Sequence, residues 1–152
     1  MFTVKRIGTV FNDRKEAEDD YWGSIVSVIE LEDGFGADAI EGLDAFSHIE
    51  VIYLFHLVPD DKVQYGSRHP RNNTDWPKVG IFAQRGKNRP NRIGATIAKL
   101  VKAEGSKIYV SGLDAIDHTP VIDIKPVMKE FLPNEEVKQP AWSTELMKDY
   151  WE

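Results

Sequence analysis

Apolar and polar residues alternate along several short stretches of the chain, a two-residue period that is typical of half-buried β-strands. The stretches are residues 2–11, 24–31, 47–57, 79–83, 95–101, 107–113 and 121–126. Most of them are separated by connections that contain Gly, Pro, Asn or Asp, which favour turns. The pattern therefore predicts a mainly β fold, a small single-sheet β-barrel with short peripheral helices.

Helical signals are confined to two places. Residues 39–43 predict one or two helical or irregular turns, and residues 144–151 predict a last short helix with Ser143 as its N-cap. This helix would carry an apolar stripe formed by Leu146, Met147, Tyr150 and Trp151. We expect the stripe to pack on its own domain, and the alternative is packing across a dimer.

Composition narrows the class of protein. At 152 residues and 41% hydrophobic, the chain is expected to form one domain, 1–152. The absence of cysteine excludes disulfides, thiolate nucleophiles and Cys-ligated metal sites. The four histidines are dispersed, so no metal is expected. No apolar run is long enough for a signal peptide or a membrane span, so we expect no membrane partner and a cytoplasmic location.

Charge is distributed unevenly along the chain. The net charge is −6, but residues 62–102 hold 10 Lys and Arg against 1 acidic residue, whereas residues 1–61 hold 4 against 14. Local charge, more than net charge, decides where a phosphate backbone docks. The basic segment is therefore a candidate nucleic-acid surface. The alternative is that it pairs with acidic residues elsewhere in the fold.

A stiff cationic loop lies inside this basic segment, between two predicted strands. Its cations are Arg85, Lys87, Arg89 and Arg92. Pro90 fixes its own φ angle, and the glycines nearby permit close approaches that a Cβ would block. Such a loop is suited to hold an anionic or polar ligand, although Arg- and Gly-rich loops are also common as solvated turns.

The connection 60–78 has almost no aliphatic residue but contains Tyr65, Arg68, Arg71 and Trp76. Long loops inside compact domains are commonly functional or disordered. Aromatic rings interleaved with arginines can stack on bases, so this loop is a second candidate RNA contact. The alternative is a surface loop with Trp76 tucked into the body.

Two pairs of polar residues are expected to share strand faces because of the two-residue period. His48 and His56 would face the same side of one strand, more in keeping with structural than catalytic roles. Asp123 and Lys125 would project from one face of the strand 121–126.

Three ordered segments resemble a known family. They are GLDAFSHI at 42–49 followed by FH at 55–56, FAQRGKNRPNRIG at 82–94, and GLDAIDHTPVIDIKP at 112–126. They are similar to motifs of the TrmO family, also called YaeB, VirR or TsaA-like, of S-adenosylmethionine-dependent tRNA methyltransferases. This chain departs from the family pattern at Gly86-Lys87, where Ser-Pro is usual, at Arg92, where Pro is common, and at His118, where Gly is common.

The resemblance implies a single TrmO-like β-barrel methyltransferase domain that lacks the C-terminal extension of longer members. It implies a homodimer with S-adenosylmethionine close to the subunit interface. It also implies N6-methylation of N6-threonylcarbamoyladenosine beside the anticodon of threonine tRNA. The alternatives are methylation of a small molecule and a non-catalytic S-adenosylmethionine-binding module.

The resemblance also implies which residues form the site. By position, the cofactor loop would comprise Phe82, Ala83, Arg85, Arg89, Pro90, Asn91 and Gly94, and the opposite wall Asp114, Asp117, Thr119, Asp123 and Lys125. Arginines would meet the methionine carboxylate or RNA phosphates. The expected RNA contacts are Arg68, Arg71 and Arg92. Because the acceptor nitrogen must lose a proton, His56 or Asp114 is the expected base, and direct loss to solvent is the alternative.

Overall fold

Six of the alternating segments pair side by side and close into one antiparallel barrel in the order β1-β2-β7-β6-β3-β8. The computed structural model describes all 152 residues. Its strands are β1 (Gly8–Phe11), β2 (Val26–Leu31), β3 (His48–Leu54), β4 (Ser67–Arg68), β5 (Val79–Gly80), β6 (Ile93–Glu104), β7 (Lys107–Ser111) and β8 (Pro120–Pro126). β4 and β5 form a separate two-stranded ribbon. The predicted single-sheet barrel with short helices is confirmed.

The core fills the inside of the barrel, because alternate residues of every barrel strand point inward. Fully buried residues on five strands are Val10, Ile29, Ile49, Val51, Ile108, Val110 and Val121. Burying a side chain of this size contributes about 1.5–3 kcal/mol, so this layer is the main source of stability.

The register places three connections at one end of the barrel, which we call the mouth. Phe11 pairs with Val28, Val26 with Ser111, and Leu54 with Ile93. The connections 12–25, 55–92 and 112–119 therefore leave and re-enter the barrel at the mouth. The opposite end, the base, carries the connection 32–47 and the tight turn between β6 and β7.

Several strand boundaries differ from the sequence prediction. The strand predicted over 2–11 begins only at Gly8, where pairing with β2 and β8 starts. The strand predicted over 47–57 ends at Leu54, so the expectation that His56 shares a strand face with His48 is wrong. His48 lies toward the base, and His56 lies in the mouth connection.

The segment predicted as the strand 79–83 is a strand only in β5. Residues Ile81–Ala83 form a 3-10 turn whose buried Ile81 anchors the connection to the body. β6, by contrast, is longer than the predicted strand 95–101. It reaches 12 residues because its first half pairs with β3 and its second half with β7.

The terminal helix is displaced toward the N-terminus from its predicted position. α1 spans Ala141–Met147 and starts after Pro140, so the predicted bounds 144–151 and the Ser143 cap are wrong. Ser143 Oγ instead donates to the Pro140 carbonyl, at 2.8 Å. The turns predicted at 39–43 are present as 3-10 turns at Ala37–Ile40 and Leu43–Ala45. None of the helices has the length and apolar character needed to cross a membrane.

Candidate functional site at the barrel mouth

Backbone strain is concentrated in the mouth connections. Six residues other than glycine have φ in the left-handed region, namely Tyr21, Arg71, Asn72, Asn91, Arg92 and His118. All of them lie in the connections 12–25, 55–92 and 112–119. Such conformations cost of the order of 1 kcal/mol or more each and cluster at binding and catalytic sites. The mouth is therefore the candidate functional site.

A carboxylate at the mouth gathers three hydroxyl groups. Asp114 Oδ1 accepts hydrogen bonds from Tyr53 Oη, at 3.1 Å, and from Thr96 Oγ1. Asp114 Oδ2 accepts one from Tyr150 Oη. Burial, and then the Asp114 charge, raise the pKa of both phenols, which therefore stay protonated donors.

This arrangement favours a positioning role for Asp114. Both of its oxygens accept bonds from internal hydroxyls, and together these bonds join β3, β6, the connection 112–119 and the C-terminal segment. A carboxylate held in this way is less free to accept a substrate proton. The role of Asp114 as a base stays a prediction.

His56 lies two residues after the end of β3 and is half-buried at the mouth. Burial lowers its pKa, and repulsion from His118 lowers it further, while a hydrogen bond with the Leu54 backbone raises it. The imidazole is therefore neutral near pH 7, the form that can accept a proton. The neutral form of His56 suits a base, and its role as the base stays a prediction.

The predicted cofactor loop is held by side-chain bonds to backbone carbonyls. Gln84 Nε2 donates to Val79 O at 2.8 Å and to Arg68 O at 3.2 Å. Arg89 Nη1 donates to Gln84 O at 2.7 Å. Phe82 and Ala83 remain exposed on the loop. Gln84 was not among the expected site residues, and its role follows from contacts that the sequence pattern does not encode.

Arg85 and Arg89 keep their positive charges without a neutralising acid. Arg85 Nη2 donates to Ala95 O at 2.6 Å, and Arg89 also bonds only to carbonyls. Arg85 lies close enough to Tyr53 to oppose part of the rise in the pKa of that phenol. Two cations fixed at the mouth are suited to bind a carboxylate or a phosphate.

The end of the cofactor loop is shaped by close packing. Pro90–Arg92 forms a 3-10 turn in which Asn91 has φ 65°. An added Cβ at Gly94 would lie 2.6 Å from the ring of Tyr53 and 2.9 Å from Phe55. Gly94 therefore serves close packing of the aromatic rings behind the loop.

The three arginines expected to contact RNA differ in their partners. Arg71 pairs with Asp20 at 3.0 Å, and Arg92 pairs with Asp60 at 2.9 Å. For Arg71 and Arg92, these contacts confirm the alternative that the basic segment pairs with acidic residues elsewhere in the fold. Arg68 instead donates to the Asn72 amide oxygen at 2.9 Å and keeps its net charge. The RNA role of all three stays a prediction.

The structure divides the predicted opposite wall into two places. Asp117 and Thr119 lie at the mouth, where Thr119 is buried and donates to Ile116 O at 2.7 Å. Asp123 and Lys125 lie on the outer surface of β8 and contact each other at 3.2 Å, which confirms that they share a face. No side-chain hydrogen bond or ion pair joins either of them to Asp117.

Three hydroxyl-bearing residues of the mouth were missed by the sequence analysis: Tyr53, Thr96 and Tyr150. Asp114 lies 61 residues from Tyr53 and 36 from Tyr150 along the chain, and only the fold brings these groups together, so no local motif could have revealed the cluster. No group of three or more His, Cys, Asp or Glu side chains is placed to hold a metal ion.

Comparisons with known proteins match this barrel and its mouth. A sequence model of the tRNA-methyltransferase O N-terminal domain matches residues 7–131. The putative S-adenosylmethionine-dependent methyltransferase RcsF of Pseudomonas aeruginosa is 45% identical over 89 residues, 59% of this chain and 37% of that protein. The tRNA (adenine(37)-N6)-methyltransferase of Homo sapiens is 41% identical over 102 residues, 67% of this chain and 23% of that protein.

A solved structure agrees with the sequence comparisons. The crystal structure of TrmO from Pseudomonas aeruginosa superposes with a TM-score of 0.76 and 26% identity, covering 93% of this chain and 62% of that one. The chain therefore spans less than two thirds of each of these three relatives. Because the family model covers most of the chain, including the barrel and all three mouth connections, the chain belongs to the tRNA-methyltransferase O family.

Proposed function

We propose that this chain is an S-adenosylmethionine-dependent tRNA methyltransferase whose active site is the barrel mouth. The observation that carries the proposal is the pair of fixed, uncompensated cations, Arg85 and Arg89, among the strained mouth connections. The names of the relatives supply the reaction class, since they include tRNA (adenine(37)-N6)-methyltransferases and an S-adenosylmethionine-dependent methyltransferase.

The mouth offers groups that fit S-adenosylmethionine. Arg85 or Arg89 would bind the carboxylate of its methionine part, and exposed Phe82 would stack on the adenine ring. When bound, the cofactor supplies a methyl group activated by its sulfonium. The chain would hold the acceptor nitrogen in line with that methyl group, so that positioning provides much of the rate.

The proposed acceptor is N6 of N6-threonylcarbamoyladenosine beside the anticodon of threonine tRNA. Its threonyl carboxylate and the neighbouring phosphates are anions, which suit the basic connection 55–92 and its Arg68. The acceptor nitrogen must also lose a proton, for which His56 or Asp114 is the base expected from the sequence, with direct loss to solvent as the alternative. A tRNA substrate implies that the protein acts in the cytoplasm.

We also propose that the protein is a homodimer. The outer surface of β3 and β6 carries apolar side chains, among which Ile93 is 41% exposed, Ile97 44% and Val101 55%. A second copy of the chain would cover them. Asp123 and Lys125 share this outer surface, because Asp123 pairs with Ile52 of β3. In a dimer they would face the interface, where the cofactor is expected.

The test is methyl transfer from labelled S-adenosylmethionine to threonine tRNA that carries or lacks the threonylcarbamoyl group. Label is expected only in the modified tRNA. Arg85→Ala should lower kcat/KM about 10- to 100-fold, as expected for the loss of one charge-assisted hydrogen bond worth about 1.5–3 kcal/mol. Lys87→Ala is the matched control, because exposed Lys87 makes no side-chain bond in the same loop.

Two results would replace this proposal with another. Label that enters a small molecule but no tRNA would assign the enzyme a small-molecule substrate. Cofactor binding by calorimetry without transfer to either tRNA would make the chain a binding module. Loss of activity in Arg85→Ala counts only if its thermal unfolding matches that of the wild type.

A further inference from the structure

His118 holds a strained backbone conformation without the gain of burial. Its φ is 68°, in the left-handed region where a Cβ is unfavourable. Nearby Gly112 adopts a similar φ of 74° with no such penalty. The His118 side chain is 69% exposed, so core packing does not offset its strain. Because strained residues cluster at functional sites, the exposed imidazole of His118 is a candidate functional group.

A carboxylate fixes the imidazole in one tautomer. His118 Nδ1 lies 2.8 Å from Asp117 Oδ2. Because a carboxylate only accepts hydrogen bonds, Nδ1 carries the hydrogen, and the lone pair of Nε2 is left free. Asp117 is itself held, since its Oδ1 accepts the Asn12 backbone N–H at 3.0 Å and its side chain is only 10% exposed.

Two further contacts orient the ring. The backbone N–H of His118 donates to Val10 O at 2.6 Å, at the end of β1. Its imidazole packs edge-on against Phe11, with ring centroids 5.3 Å apart and an interplanar angle of 76°. The titratable groups that face the imidazole are Asp117 on its own connection and His56 on the connection 55–92. Arg14, after β1, is directed away toward Trp22.

We propose that His118, oriented by Asp117, accepts the proton that the acceptor nitrogen releases during methyl transfer. This inference rests on the proposed function. As the new C–N bond forms, the S–CH3 bond breaks and its electron pair stays on sulfur, which becomes a neutral thioether. The N–H proton passes to His118 Nε2. The resulting imidazolium is stabilised by the Asp117 carboxylate.

His118 is better placed for this step than His56. His56 is half-buried, and no carboxylate contacts its ring. His118 has an oriented partner and stands exposed at the opening. His56 lies near enough to His118 for the two rings to repel each other when both are charged, and the lowered pKa of His56 keeps that ring neutral.

The test compares His118→Gly with the wild-type chain in the labelled-methyl assay across pH 5–9. Glycine suits the left-handed backbone, so the fold is expected to persist. We expect kcat to fall about 10²-fold with little change in KM, because a general base typically contributes 10²–10⁴-fold. Added imidazole should restore part of the rate in proportion to its unprotonated form. Glu41→Gln, which alters an exposed side chain of the connection 32–47 at the base, is the control and should keep the wild-type rate.

The outcomes separate this inference from the proposed function. An active wild type whose rate, pH profile and imidazole response are unchanged in His118→Gly would overturn the inference alone. A loss of rate that imidazole does not restore would make His118 structural and would also overturn it. A wild type that binds the cofactor but methylates no tRNA would overturn the proposed function, and this proton step with it.

Discussion

Gly94 lies between two aromatic rings at the start of β6. The rings of Tyr53 and Phe55 pack edge to face, with centroids 5.4 Å apart and an interplanar angle of 78°, and Tyr53 is hydrogen-bonded to Asp114. Neither ring can move aside easily. The packing of the two rings therefore requires a residue without a side chain at position 94.

We expect Gly94→Ala to lower the free energy of unfolding by about 1–3 kcal/mol, because the new methyl group overpacks the rings. Urea denaturation measures the change. Gly86→Ala in the same loop is the control: no atom lies within 4 Å of its added Cβ, so its effect should stay within about 0.5 kcal/mol. Equal losses in the two variants would contradict this explanation.

Because of the two phenols bonded to Asp114, the free energy of unfolding depends on pH in the alkaline range. Burial and the Asp114 charge raise the pKa of Tyr53 and Tyr150 above the ordinary value of 10.0. Above that pH the unfolded chain loses these protons first, so the free energy of unfolding falls as pH rises. The stabilisation is fully present below pH 10.

Tyr150→Phe should lower the free energy of unfolding at pH 7 by about 1–3 kcal/mol, because Asp114 Oδ2 loses its donor. It should also weaken the decline above pH 10. Chemical denaturation at several pH values measures both effects. Tyr65→Phe removes an 80% exposed phenol and is expected to change neither.

Some of these residues could be predicted from sequence patterns, and others could not. The loop around Arg85 and Arg89 was predictable, because its charges, glycines and proline are adjacent in the chain. The hydroxyl cluster on Asp114 was not, because Tyr53 reads as one more apolar position in a buried strand. The partners of Arg71 and Arg92 were equally hidden, since Asp20 and Asp60 meet them only in the folded chain.

At the scale of elements, the C-terminal segment after α1 is tied to the connection 12–25. The backbone N–H of Tyr21 donates to Asp149 O at 3.1 Å, and that of Trp22 donates to Tyr150 O at 2.8 Å. Gly23 lies so close that an added Cβ would be 1.9 Å from Trp151 O. The segment therefore forms part of the mouth wall.

Gly23→Ala should displace this segment while leaving the barrel folded. We expect the amide hydrogens of Tyr21 and Trp22 to exchange with solvent more than about tenfold faster, because their acceptors move away. Hydrogen exchange followed by NMR measures the change. Gly34→Ala is the control, since its added Cβ meets no atom within 4 Å. Unchanged exchange in Gly23→Ala would show that the close approach of residue 23 to Trp151 does not hold the C-terminal segment in place.

Strand existence was easier to predict than strand ends. Alternation marks residues that are half-buried, but pairing decides where a strand stops. β3 ends at Leu54, where its register with Ile93 ends, although apolar residues continue to Leu57. α1 was placed too late, because the chain starts the helix after Pro140 without a side-chain cap.

At the scale of the whole molecule, the outer surface of β3 and β6 forms the interface of the proposed dimer. Ile97→Glu should convert it to a monomer, because a charge would be buried at the interface. Sedimentation velocity measures the mass. Val26→Glu, at an outward position of β2 that is 57% exposed, is the control and should leave the dimer intact. A monomeric wild type would reject the proposed assembly.

The barrel as a whole was predictable because short alternating segments with turns between them leave few other ways to bury their apolar faces. The order of its strands was not. β6 sits between β3 and β7, and β8 closes the barrel by pairing with both β1 and β3. These pairings depend on packing between distant parts of the chain.

Closure of the barrel has a consequence for how this protein can change. Each barrel strand has two neighbours, so the framework leaves no sheet edge that the mouth connections must complete. The strained residues and the fixed cations all lie outside it. Replacing one connection with another of different shape would therefore alter which acceptor fits while the barrel retains its own stability, and new substrate preferences could arise without a new fold.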